Sequence, residues 1–80
     1  MPDKRIEVDA YSGSREEETP RSFILYGEKV EVLEIDRRWV EEEFKERARK
    51  RFFRIKGNDG YLHTLYYDEM KKEWFIRKAG

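Results

Sequence analysis

Apolar and polar residues alternate with period two along much of this chain. Ile6, Val8 and Ala10 interleave with Glu7 and Asp9, the pattern of a strand with one buried face. Tyr11-Ser12-Gly13-Ser14 breaks it and Arg15–Pro20 is polar, so positions 12–20 read as a loop and 1–5 as a frayed start. Phe23 and Leu25 then share a face, with Ile24 and Tyr26 on the other, and Gly27-Glu28 marks a tight turn. Along Lys29–Ile35 the phase changes, as Val30 and Val32 give way to Leu33 and Ile35. Such a change implies a bulge or a sharp coil, a device by which a small sheet curls on itself.

The last third has the same grammar. Phe53 and Ile55 alternate with Arg54 and Lys56, and Gly57-Asn58-Asp59-Gly60 is a turn. Tyr61–Tyr67 is a second apolar run, Asp68–Lys72 is polar, and Glu73–Lys78 carries Trp74, Phe75 and Ile76. Strand, turn, strand, turn, strand predicts an antiparallel meander. Asp36–Lys50 has a different period. Val40, Phe44, Ala48 and Phe52 recur every four residues, and Glu41–Lys45, Glu43–Arg47 and Glu46–Lys50 are spaced for attraction along a helix. This predicts a short helix near Val40–Lys50 docked on the sheet, with a mobile charged loop as its rival.

The expected fold is mainly β with one short helix, a single domain over 1–80. It is a small curled antiparallel sheet or partly open, SH3-like barrel of five to six strands. Its core would hold Ile6, Val8, Phe23, Leu25, Val30, Val32, Leu33, Ile35, Phe53, Ile55, Leu65, Trp74 and Ile76.

Composition narrows the setting. The chain has 80 residues and no cysteine, so neither a disulfide nor a thiolate metal site supports the core. Aromatic residues make up 15%, and their large rings must supply the burial. No stretch is long and apolar enough to span a membrane, and Met1–Arg5 lacks the apolar segment of a secretion signal. A cytoplasmic protein with no membrane partner is expected. Charged residues are 45% of the chain, Asn58 is the sole Asn, and Gln is absent. That is a thermophile pattern, and a surface selected for solubility is the alternative.

Basic and acidic residues cancel at 18 each, but they are sorted in blocks. Lys45, Arg47, Arg49, Lys50, Arg51, Arg54 and Lys56 meet only Glu46 within their own stretch, while Glu41, Glu42 and Glu43 precede it. This basic run, interleaved with Phe44, Phe52 and Phe53, is the candidate nucleic-acid surface. Arg47, Arg49, Lys50, Arg51, Arg54 and Lys56 would contact phosphates.

Catalytic chemistry finds little material. His63 is the single histidine and lies within a strand pattern, which fits a structural or surface role. Ser12 and Ser14 flank Gly13 as turn residues, and Glu16-Glu17-Glu18 lacks the spacing of a calcium loop. Gly57–Gly60 is followed by no Lys-Ser/Thr pair, so it is no phosphate loop. The expectation is no enzyme, no catalytic or metal-binding residue, no cofactor and no small-molecule substrate.

Asp36-Arg37-Arg38-Trp39 has two readings. It is either a buried corner, with Trp39 as a plug and Asp36 capping the helix, or an Arg–Trp grip on a partner. Arg37 and Trp39, with Tyr61, Tyr66 and Tyr67, are therefore the candidate partner-binding residues. The expected function is a non-catalytic β module that binds a protein by strand addition at an exposed edge or by groove contact. A nucleic-acid accessory domain is the alternative.

A set of residues carries a resemblance. Pro20-Arg21, Phe23, Gly27, Val30 and Ile35-Asp36-Arg37-Arg38-Trp39 are followed by Phe53-Arg54-Ile55-Lys56, Asp59-Gly60-Tyr61, Leu65-Tyr66-Tyr67-Asp68 and Trp74. Together they resemble small bacterial cytoplasmic proteins of unassigned function, over most of the chain from Ile6 onward. Similar modules resemble a C-terminal extension of some translesion-polymerase-related proteins. The resemblance implies a β fold and a bacterial cytoplasmic setting, and no activity.

Overall fold

Six strands run in order around a closed barrel, each hydrogen-bonded to its sequence neighbours and the last to the first. The computed structural model describes residues 3–12 and 18–77. The strands are β1 (Lys4–Ser12), β2 (Glu18–Leu25), β3 (Glu28–Glu43), β4 (Ala48–Gly57), β5 (Leu62–Asp68) and β6 (Glu73–Ile76). All pairings are antiparallel, and Lys4–Ile6 of β1 closes the ring on Trp74–Ile76 of β6. The strands thus close into a barrel through β1 and β6. Closure removes two free edges that a small sheet would otherwise expose.

The turns follow local chemistry. Tyr26-Gly27 joins β2 to β3 with positive φ at both residues, the two-residue turn whose twist suits a hairpin. Phe44–Arg47 and Glu69–Lys72 are longer loops, and each ends on a basic residue with positive φ, Arg47 and Lys72. Asp68 is buried beneath the second loop, where Oδ1 accepts from the amides of Met70 and Lys71 at 3.0 and 3.1 Å. At Gly57–Tyr61, Asp59 Oδ1 accepts from the Tyr61 amide and Oδ2 pairs with His63 Nε2 at 2.9 Å. Burial works to raise the Asp59 carboxyl, but these partners outweigh it and hold it below its ordinary value.

The barrel interior contains Ile6, Phe23, Val30, Phe53, Ile55, Leu65, Trp74 and Ile76, flanked by Val8, Leu25, Val32 and Ile35. Leu33 is the exception among the expected core residues, at 63% exposure. It stands at the first of two register shifts in β3, between Val32 and Glu34; the second lies between Ile35 and Arg37. An extra residue at a bulge leaves the pleat and turns outward. The phase change in the sequence is therefore a real bulge, and it costs Leu33 its place inside.

There is no helix among the described residues, and Val40–Lys50 is a β-hairpin. Glu41 faces Lys50, Glu42 faces Arg49 and Glu43 faces Ala48. Blocks of acid and base spaced for a helix serve equally well as opposed pairs across a turn. Phe44, expected on the helical stripe docked against the sheet, tips the hairpin at 85% exposure. Lys4 and Arg5 are ordered in β1 rather than frayed, and the strands extend to Ser12 and back from Glu18, so the expected loop over 12–20 is shorter. The remaining loop positions 13–17, with Ser14, Glu16 and Glu17, lie outside the described residues, as do Met1 and Pro2.

Candidate functional site

The outer surface of β3–β6 carries a row of rings. Register places Trp39 opposite Phe52, Phe52 opposite Tyr66, and Tyr66 opposite Phe75. Ring centroids are 5.1, 4.8 and 5.2 Å apart in turn. Cations lie over the row: Arg77 is 4.4 Å from the Phe52 centroid, Lys50 is 5.3 Å from Tyr66, and Lys71 is 5.4 Å from Phe75. Phe52 is 1% exposed although it points away from the barrel interior. The row is a second apolar core laid on the outside of the sheet. Its signal in the sequence is the unbroken pair Phe52-Phe53, which gives β4 a ring on each face.

Tyr66 is part of this row rather than a free contact. It is buried, and its hydroxyl donates to Asp3 Oδ2 at 2.6 Å. Burial, then the hydrogen bond and charge of Asp3, push its phenol well above the ordinary value of 10.0. The folded state therefore favours the protonated phenol. Its contribution is fully present below pH about 10 and is lost as pH rises through the higher folded value. Alkaline titration followed by circular dichroism should show this loss, and Tyr66→Phe should flatten it while keeping the ring.

The six basic residues do not form one track. Lys50, Arg54 and Lys56 lie on one face of β4 and Arg49 and Arg51 on the other, while Arg47 sits in the turn. Several already face carboxylates. Arg51 Nε is 2.6 Å and Arg49 Nε 3.5 Å from Glu69, Arg49 is 3.8 Å from Glu42, and Arg54 is 3.4 Å from Asp36. The partner-binding candidates also separate. Tyr61 is exposed at the Gly57–Tyr61 turn, and Tyr67 packs inward against Trp74. Tyr66 and Tyr67 are thus supports of the fold. Asp36 caps no helix; it sits at the second bulge of β3, paired with Arg54. Trp39 is half-buried in the ring row, its Nε1 donating to Glu41 at 2.9 Å.

Arg37 and Trp39 remain together, on the part of β3 with an open edge. β2 pairs with β3 only over Glu28–Glu31, whereas β4 pairs with it out to Glu43. From Val32 to Glu43, no second strand lies beside β3 among the described residues. An open groove of about 520 Å³ begins where the two strands part, between Pro20, Arg21 and Ser22 of β2 and Val32–Ile35 of β3. Beyond the bulges, Arg37–Glu43 keeps a regular register. No group of His, Cys, Asp and Glu able to hold a metal occurs among the described residues, nor does any helix long and apolar enough to cross a membrane.

Fold and edge together define a closed six-stranded antiparallel meander with one projecting, half-paired hairpin. No protein-family model, curated protein or solved structure matches the chain.

Proposed function

We propose that this chain is a non-catalytic interaction module that receives an extended segment of a protein along the open edge of β3. The supporting observation is the one-sided pairing of Val32–Glu43 among the described residues. A strand laid there adds main-chain hydrogen bonds, and alternate side chains choose the partner. Arg38, Val40 and Glu42 would read it on one face, and Arg37, Trp39 and Glu41 on the other. Charged side chains along an edge normally discourage indiscriminate pairing, so the partner must match their order. Nucleic-acid binding by Lys45–Lys56 ranks below this reading because Arg49, Arg51 and Arg54 already have carboxylates within 4 Å. A thermophilic setting belongs to the same proposal, supported by the high charged fraction arranged in cross-strand pairs, and a bacterial, cytoplasmic one rests on the resemblance described above.

The test uses extended peptides basic at one end and acidic at the other. Amide hydrogen exchange should slow within Arg37–Glu43 when such a peptide binds, and Arg37→Glu with Arg38→Glu should weaken binding at least tenfold. Unchanged exchange along β3 of the monomeric chain under a saturating excess of every peptide would overturn the reading.

A further inference from the structure

The open edge of β3 has an uncommon charge order. Reading outward from the second bulge it runs Arg37, Arg38, Trp39, Val40, Glu41, Glu42, Glu43. Bases lie nearest the barrel and acids nearest the hairpin tip. We infer that the segment this edge receives is the same edge of a second copy, paired antiparallel about Val40. The inference names the partner of the edge proposed above and rests on that reading.

Geometry restricts how two copies can meet. Two identical antiparallel strands are related by a two-fold axis normal to the sheet, and directly opposed residues share a face. The axis must therefore pass through a residue. With Val40 on the axis, Arg38 faces Glu42 of the second copy, which it shares with that copy's Arg49 at 3.8 Å, and Arg37 faces its Glu43, with both contacts repeated by symmetry. Val40, 45% exposed in the single chain, meets its own counterpart at the centre. Trp39 faces Glu41, the residue type that its indole N–H already engages within the chain.

Other registers do worse. With Trp39 on the axis, Arg37 meets Glu41 of the second copy and Arg38 meets Val40, so one of the two attractions is lost. Parallel pairing in register sets Arg against Arg and Glu against Glu. Like charges directly opposed destabilise a pair of strands and opposite charges stabilise it, so the sorted blocks select one register. The two bulges precede Arg37, which leaves the pairing segment itself regular. Edge charges that ordinarily guard against association are here complementary to themselves.

Sedimentation equilibrium on the full chain, with circular dichroism to confirm folding, tests this. The wild type should move from the mass of one 9.9 kDa chain toward twice that mass with rising concentration. The double variant Arg37→Glu/Arg38→Glu should stay monomeric, as should Glu42→Arg/Glu43→Arg. An equimolar mixture of the two variants should recover the dimer, because each reversed edge then meets its complement. A wild type that is monomeric to millimolar concentration overturns the inference. So does a dimer that both reversals leave intact, or a mixture of folded variants that fails to associate. The charged-peptide experiment separates the two levels: a monomer whose β3 amides are protected by peptide keeps the edge and loses the second copy. A monomer without protection loses both.

Discussion

Replacing Phe52 with Ala should destabilise the domain by about 3–5 kcal/mol, the loss seen for a large aromatic removed from a packed interior. The residue points away from the barrel, and an outward position on a strand usually tolerates substitution. Here the ring is 1% exposed, with Trp39 on one side, Tyr66 on the other and Arg77 above it. Truncation would open a void between two stacking partners and leave the Arg77 guanidinium without its ring. A domain of this size has about 5–15 kcal/mol in total at best, so much of the population would unfold. Urea unfolding measures the change. Leu33→Ala is the control: Leu33 is as apolar but turned outward by its bulge, and its change should stay within about 0.5 kcal/mol. Comparable losses at the two positions would show that the outer ring row contributes nothing special.

Gly57→Ala should cost about 1–3 kcal/mol through overpacking. Gly57 ends β4, and its amide donates to the Tyr61 carbonyl at 2.9 Å while its carbonyl accepts from Gly60 at 3.0 Å. A Cβ there would stand 2.6 Å from Val30 Cγ1 and 2.6 Å from Asp59 Oδ1. Neither neighbour yields freely. Val30 is buried in the core, with the restricted χ1 of a β-branched side chain. Asp59 is engaged by the Tyr61 amide and His63. Adding Val30→Ala to Gly57→Ala should relieve the contact, so the double variant should lose less than the sum of the single ones. Additive losses would place the strain elsewhere.

The ring row and the Gly57 contact differ in how far they can be read along the chain. Alternation at Ile6–Ala10, Phe53–Lys56 and Leu62–Tyr67 sets the inward face of those strands, because successive side chains on a strand point to opposite sides. The change of phase at Leu33 likewise predicts a bulge, though not which residue leaves the core. Phe52 beside Phe53 shows that β4 presents rings to both sides. It does not show that Trp39, Tyr66 and Phe75 arrive opposite on neighbouring strands, since cross-strand register depends on loop lengths and bulges together.

Val40–Lys50 shows the same limit from the other side. Spacing of four between Val40, Phe44, Ala48 and Phe52 satisfies a helix, and Glu–Lys pairs at that spacing add only a few tenths of a kcal/mol each. Extending the sheet sets Glu41–Glu43 against Ala48–Lys50, and the same charges then oppose one another across the turn. Tertiary context outweighs so weak a local preference.

By itself, then, the sequence determined a small antiparallel β domain: the alternating faces, most of the inward core, the turns other than Phe44–Arg47, and the bulged third strand. Local geometry suffices for these, since each depends on residues adjacent in the chain. Only the tertiary structure decided that the sheet closes through β1 and β6, that the basic residues divide between two faces, and that β3 outruns β2 to leave an open edge among the described residues. Those features depend on pairing between distant strands, whose register and curvature are settled by the packed barrel as a whole.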